Sequence, residues 1–171
     1  MAEAQRIVLI GFRGAGKSTV ARALATRTGR PVQSTDALIE ARVAMTISEF
    51  VEREGWPAFR AVEREVIAAL PDAPEWIIDC GGGVVEDAGN MAALQRNAVV
   101  VWIDADLDAI VTYLAESGDR PLLSETDLRS DTERHYTRRR PLYRRYAHLR
   151  VSTSEHAIEA VCDIILAHRS L

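Results

Sequence analysis

Eight residues near the start of the chain leave little freedom for the rest. Gly11-Phe-Arg-Gly-Ala-Gly-Lys-Ser18 fits the spacing G-x-x-x-x-G-K-[ST] without a mismatch. In this spacing the glycines, Gly11, Gly14 and Gly16, let backbone N–H groups turn inward in dihedrals that a β-carbon resists. The following helix then points its positive end at an anion. Such a loop works only between a buried strand and a helix, and both neighbours have that character. Arg6-Ile-Val-Leu-Ile10 is a short apolar run, and Ser18 to Thr28 places Val20, Leu24 and neighbouring alanines on one helical face before Gly29. Gly11, Gly14, Ala15, Gly16, Lys17, Ser18 and Thr19 are therefore expected to cradle the phosphates of a nucleotide. Lys17 places a point charge on the β- and γ-phosphates, and the Ser18 hydroxyl is suited to Mg²⁺.

Composition adds weight to Lys17. Lys and Arg together number 21, and Lys17 is the only lysine among them. Wherever an arginine could serve, this chain has one. A planar guanidinium fork substitutes poorly for an ammonium among phosphates.

The remaining sequence alternates between short apolar runs and helical periodicity. Arg30–Ser34 is a weak second strand. Asp36–Ala44 and Ser48–Glu54 are short helices, the latter with Ser48 as a candidate cap. Pro57 opens a further helix that runs to about Leu70, with Phe59, Val62, Val66 and Leu70 inward. Trp76-Ile-Ile is a third strand, followed by Gly81-Gly-Gly83 and a helix at Ala88–Gln95. Ala98–Ile103 is the clearest strand. Asp106–Glu116 is helical, Ser117–Thr126 reads as a mobile loop, and Asp127–Tyr146 is a helix bent or broken at Pro141. Leu149–Thr153 and Glu155–His168 close the chain as strand and helix. This alternation predicts one α/β domain with a mostly parallel sheet covered on both faces.

The length of 171 residues fits one domain, and 47% apolar with 27% charged residues is an ordinary globular composition. A net charge of −4 argues against nucleic acid as the main partner. No apolar run approaches the ~20 residues that span a bilayer. The first residues lack a signal-peptide pattern, and two cysteines are too few for a disulfide framework. A cytoplasmic, monomeric enzyme is the expectation. A GTPase would carry an Asn-Lys-x-Asp motif, which needs a second lysine, and a motor ATPase is usually longer. A small-molecule kinase remains.

Four further stretches, in order, resemble the shikimate kinase family: Ser34-Thr-Asp36 with Ile39-Glu40, Phe59-Arg60-x-x-Glu63, Gly81-Gly-Gly83, and Arg120-Pro-Leu-Leu123 followed by Arg139-x-Pro-Leu-Tyr143. The resemblance covers nearly the whole chain. It implies a P-loop kinase sandwich: a five-stranded parallel sheet with helices on both faces, a substrate-binding region at 35–64 and a lid at 116–126. It implies transfer of the γ-phosphoryl of ATP, with Mg²⁺, to the 3-hydroxyl of shikimate. By the same resemblance Asp36 binds and orients the acceptor hydroxyls, Arg60 and Arg139 hold the carboxylate, and the Gly81, Gly82 and Gly83 backbone borders the ring. Arg120 reaches the nucleotide's transferring phosphate. Another kinase of small hydroxy acids, such as a gluconate kinase, is the alternative enzyme, and a non-catalytic ATP-binding regulator the alternative from another class.

Two positions depart from the family. Ser34 stands where many members have an acid near Mg²⁺. Trp76-Ile-Ile-Asp79 ends an apolar strand in a carboxylate, so Asp79 is expected to take over that role. Tyr113 stands where the family often has an arginine stacked on adenine. The bland readings are that Asp36 caps or begins a helix, that Cys80 is a small buried hydrophobe, and that of Arg138-Arg-Arg140, Arg144 and Arg145 only Arg139 meets a ligand.

An amine-reactive reagent will modify Lys17 and the N-terminus alone, and saturating ATP–Mg²⁺ will protect Lys17. Peptide mapping with and without nucleotide checks this, and equal labelling in both samples would count against the phosphate-binding role.

Overall fold

The computed structural model describes residues 5–117 and 127–168. Arg120, and the expected lid from residue 118 onward, lie outside them. The elements follow in the order β1 (Arg6–Ile10), α1 (Lys17–Thr28), β2 (Val32–Ser34), α2 (Thr35–Val43), α3 (Ile47–Ala68), β3 (Ile77–Asp79), α4 (Ala88–Leu94), β4 (Ala98–Asp104), α5 (Leu107–Ser117), α6 (Leu128–Tyr146), β5 (Leu149–Ser152) and α7 (Ile158–Leu166), with a 3-10 turn at Val84–Glu86 before α4. The strands form one parallel sheet in the order β2-β3-β1-β4-β5. All five carboxyl ends therefore emerge at one edge, where open α/β sheets bind ligands.

The lack of hydrophobic alternation in β1 and β4 follows from this layering. Successive side chains point to opposite faces, and both faces are covered. Val8, Ile10, Val100 and Trp102 enter a cluster with Ile67, Met91, Ile110 and Tyr143. Ile7, Leu9, Val99, Val101 and Ile103 enter the opposite cluster with Val20, Leu24, Val161 and Ile165 from α1 and α7. Each fully buried aliphatic side chain contributes about 1.5–3 kcal/mol. A third, small cluster of Ile39, Val51, Phe59 and Val66 joins α2 to α3. It gives the 35–64 region a packed base of its own.

Three local features differ from the sequence expectation. The helix from residue 47 is capped by Thr46, not Ser48: Thr46 Oγ1 accepts from the Glu49 N–H (3.2 Å), and the Glu49 carboxylate accepts from the Thr46 N–H (2.9 Å). This reciprocal capping box satisfies two otherwise orphaned donors. The two helices expected either side of residue 55 are joined end to end, with the break confined to Gly55 at φ 85° and ψ 166°. Finally, α6 continues through Pro141. Contacts on both sides of the proline, described below, pin the helix and override its local preference. Among the described residues no helix is long and apolar enough to cross a membrane.

Candidate active site

The P-loop wraps the carboxyl end of β1 as its sequence requires. Gly11 has φ 148°, and a β-carbon there would stand 2.1 Å from the Ile103 carbonyl oxygen, so no other residue fits. Gly16 precedes α1 in the left-handed region at φ 95°. Thr153, just past β5, donates from Oγ1 to the Ala15 carbonyl (2.8 Å) and ties the loop to the far side of the sheet. Lys17 is buried, with Nζ donating to the Phe12 carbonyl (3.0 Å). Ser18 and Thr19 are exposed and, with Gly14, Ala15, Gly16 and Lys17, line the larger of two cavities at this edge. Tyr113 lines the same cavity and is 57% exposed, so its ring is presented to whatever lies over the loop.

Strand register brings the acids to the loop. Leu9 pairs with Asp79, and Asp79 with Ser34 on the other side. Ser18 Oγ donates to Asp79 Oδ2 at 2.6 Å. Ser34 accepts from the Ala37 N–H (3.2 Å) and caps α2. Asp36 is therefore not the cap. It sits in the first turn, where the helix dipole favours an acid.

The smaller cavity lies between α2, α3, the glycine run and α6. Asp36, Arg60, Gly81, Gly82, Gly83 and Arg139 all line it, as do Arg13 and Glu63. Each of the three glycines answers to a close neighbour. A β-carbon on Gly81 would stand 2.7 Å from Asp36 Oδ1, on Gly82 3.0 Å from the Arg13 backbone nitrogen, and on Gly83 2.0 Å from Arg60 Nη2. Thr35 Oγ1 accepts from the Gly81 N–H (3.0 Å), and the Tyr143 hydroxyl donates to the Gly82 carbonyl (2.5 Å).

The guanidinium groups are held by carboxylates and rings. Arg60 pairs with Glu63 (2.8 Å) and lies over Trp56 and Phe59, with its central carbon 5.6 and 5.1 Å from their ring centroids. Arg139, only 3% exposed, pairs with Glu86 (2.8 Å) and lies over Phe12. Arg13 pairs with the fully buried Asp131 (3.1 Å). Burial pushes the Glu63 carboxyl above its usual range, against the pull of Arg60, and nearby Asp36 pushes it further. Glu86 behaves oppositely: burial opposes its ionisation, but Arg139, Arg138 and Arg60 together hold it below the usual range. Burial and then Arg139 lower His135, keeping a second cation from the Arg139 face of α6. Cys80 is buried, and burial raises its thiol well above the ordinary value, as expected of an inert hydrophobe. Arg138 is exposed and paired with Glu86; Arg140, Arg144 and Arg145 are exposed.

Among the described residues, those expected to meet phosphate, Mg²⁺ or substrate thus line the two cavities, except Gly11, which lies at the base of the loop that borders them. Glu63 was visible as part of the Phe59-Arg60-x-x-Glu63 stretch, at the i, i+3 spacing that lets it meet Arg60. Arg13, Glu86 and Asp131 had no local signal, because their partners come from distant elements.

A P-loop at the carboxyl edge of a parallel sheet, facing a cavity lined with arginines and acids, defines a phosphotransferase of the P-loop small-molecule kinase class. The chain matches the shikimate kinase family model over residues 13–169, and it belongs to that family. The shikimate kinase of Dehalococcoides mccartyi is 37% identical over 160 residues, covering 93% of this chain and 90% of that one. That of Symbiobacterium thermophilum is 37% identical over 162 residues, covering 94% and 93%. The shikimate kinase of Acinetobacter baumannii, solved in complex with shikimate, superposes with a TM-score of 0.89 at 30% identity, covering 96% of this chain and 92% of that one.

Gly83→Ala will push Arg60 off Glu63 without straining the backbone, since Gly83 has an ordinary φ of −94°. Affinity for a carboxylate-bearing ring ligand will fall about tenfold while the unfolding midpoint moves by only a few degrees. Calorimetric titration and thermal melts of the variant check both.

Proposed function

We propose that this chain is a shikimate kinase that transfers the γ-phosphoryl group of ATP to the 3-hydroxyl of shikimate. The observation that carries the reading is that Asp36 lines both cavities. A hydroxyl held by Asp36 in the smaller cavity faces the nucleotide side in the larger one. Asp36 orients that hydroxyl and takes its proton as its oxygen bonds to the γ-phosphorus and the bond from that phosphorus to the β–γ bridging oxygen breaks, releasing ADP. Phosphoryl transfer through a loose transition state asks for charge neutralisation and in-line placement more than for strong base catalysis. Lys17 supplies fixed positive charge on the phosphate side, and Arg120 is assigned to the transferring group on the family resemblance. Arg60 and Arg139 come from different helices and would grip a planar carboxylate from two directions, and paired guanidinium forks suit that group. The glycine backbone borders the ring, and Tyr113 faces the adenine.

The donors at the loop fit Mg²⁺, which prefers hard oxygens and keeps several waters of its own. Ser18 would hold it directly and Asp79 through water, since the two side chains already share a 2.6 Å hydrogen bond. When bound it would neutralise charge on the β- and γ-phosphates. Action in the cytoplasm, as a monomer and without nucleic acid, completes the reading.

An ADP-release assay with a panel of hydroxy acids will give turnover with shikimate and none with gluconate. Turnover with gluconate alone, or no acceptor-dependent turnover, would overturn the proposal. Asp79→Asn will lower turnover at least about tenfold and raise the Mg²⁺ concentration needed for half-maximal rate, consistent with loss of one charge at the ion. Unchanged turnover and Mg²⁺ requirement would remove Asp79 from that role.

A further inference from the structure

We propose that Glu86 is a positioning residue that sets the grip of the site on its substrate's carboxylate. The inference rests on the reading of Arg60 and Arg139 as the carboxylate-binding pair. Glu86 ends the 3-10 turn that directly follows the glycine run. One of its oxygens, Oε2, lies 2.8 Å from Arg139 Nη2 and 3.7 Å from Arg60 Nη2. The other, Oε1, pairs with Arg138. A single carboxylate therefore joins α3 to α6 through the two guanidiniums that face the cavity.

Placement decides between two roles for this group. Arg60 and Arg139 line the cavity, and Glu86 does not. It holds the arginines from behind and does not occupy the seat of a ligand. Two cations brought this close repel, and the repulsion is strong where water is scarce. With the charge of Glu86 between them, both forks stay in place and remain aimed inward. Arg139 depends on it most, being almost wholly buried with Glu86 as its carboxylate partner. The three arginines in turn keep Glu86 ionised below the usual carboxylate range, so the charge is present at any working pH.

The role predicts a selective defect. Glu86→Gln keeps the shape and removes the charge. Measured by calorimetry, its affinity for shikimate will fall about tenfold, the loss expected for one charge-assisted contact. Affinity for an analogue with hydroxymethyl in place of the carboxylate will not change, and neither will the KM for ATP. Glu86→Asp keeps the charge and will recover part of the shikimate affinity. Equal losses for both ligands would mean a merely structural role, and unchanged or tighter shikimate binding would mean that Glu86 does not position the pair; either result overturns the proposal. Arg139→Met separates this from the underlying reading. If Arg139→Met leaves shikimate affinity intact, the assignment of the carboxylate pair fails. If it weakens binding and Glu86→Gln does not, only the role of Glu86 fails.

Discussion

The site depends on one backbone-to-backbone approach. Gly82 lies so close to the P-loop that even a methyl group would meet the Arg13 nitrogen at 3.0 Å. Because the two loops touch there, the phosphate cavity and the smaller cavity share a wall, and Arg13 and Asp36 line both. A side chain at this contact would separate donor and acceptor by the thickness of a residue. Orientation effects are steep at such distances, and a displacement near 1 Å can cost on the order of a hundredfold in rate. The Tyr143 hydroxyl on the Gly82 carbonyl locks the contact from the α6 side. Burial pushes that phenol far above its ordinary value, so it remains a donor.

Helix α6 acts as the strut that holds this arrangement. Along one face it presents Asp131 to Arg13, Tyr136 edge-on to Phe12, Arg139 to Glu86 and Tyr143 to Gly82. Asp131, His135, Arg139 and Tyr143 are spaced four residues apart along one stripe, and Tyr136 flanks it. The stripe explains why Pro141 does not break the helix: anchors lie on both sides of it, at 139 and 143. It also explains how buried charge is tolerated. Unpaired ions in such a place would be prohibitive, whereas each of the buried arginines at 13 and 139 meets a carboxylate.

What the sequence disclosed follows the range of each interaction. The P-loop, the strand–helix alternation and the glycine run are local patterns, and the structure keeps each of them in order, with some element ends shifted and two expected helices joined at Gly55. The cap at Thr46 is equally local, written in Thr46-x-x-Glu49, but Ser48 two positions on offers a competing hydroxyl at the same helix start. Asp36 is the harder case: its position beside a helix start fits a cap, a first-turn acid or a ligand, and the Ser34 hydroxyl on the Ala37 N–H removes only the first, leaving a first-turn acid that lines both cavities. Glu86 and Asp131 were illegible, because their meaning lies in arginines 53 and 118 positions away. Pairings at that range depend on topology, and periodicity carries no trace of them.

The register of β2 and β3 puts the Ser34 departure in a different light. Ser34 and Asp79 are direct partners on adjacent parallel strands. An acid at 34 would place a second carboxylate about 4.8 Å from the first in backbone terms. At an effective dielectric near 20 that repulsion is roughly 3 kcal/mol, to be offset only by a cation between them. Serine removes the repulsion and spends its hydroxyl on the start of α2, which places Asp36 in the first turn of that helix. Asp79 is left as the carboxylate bonded to Ser18. The serine therefore reads as a redistribution and not a loss: one residue secures the helix that carries Asp36, while its strand neighbour Asp79 alone presents a carboxylate to the loop.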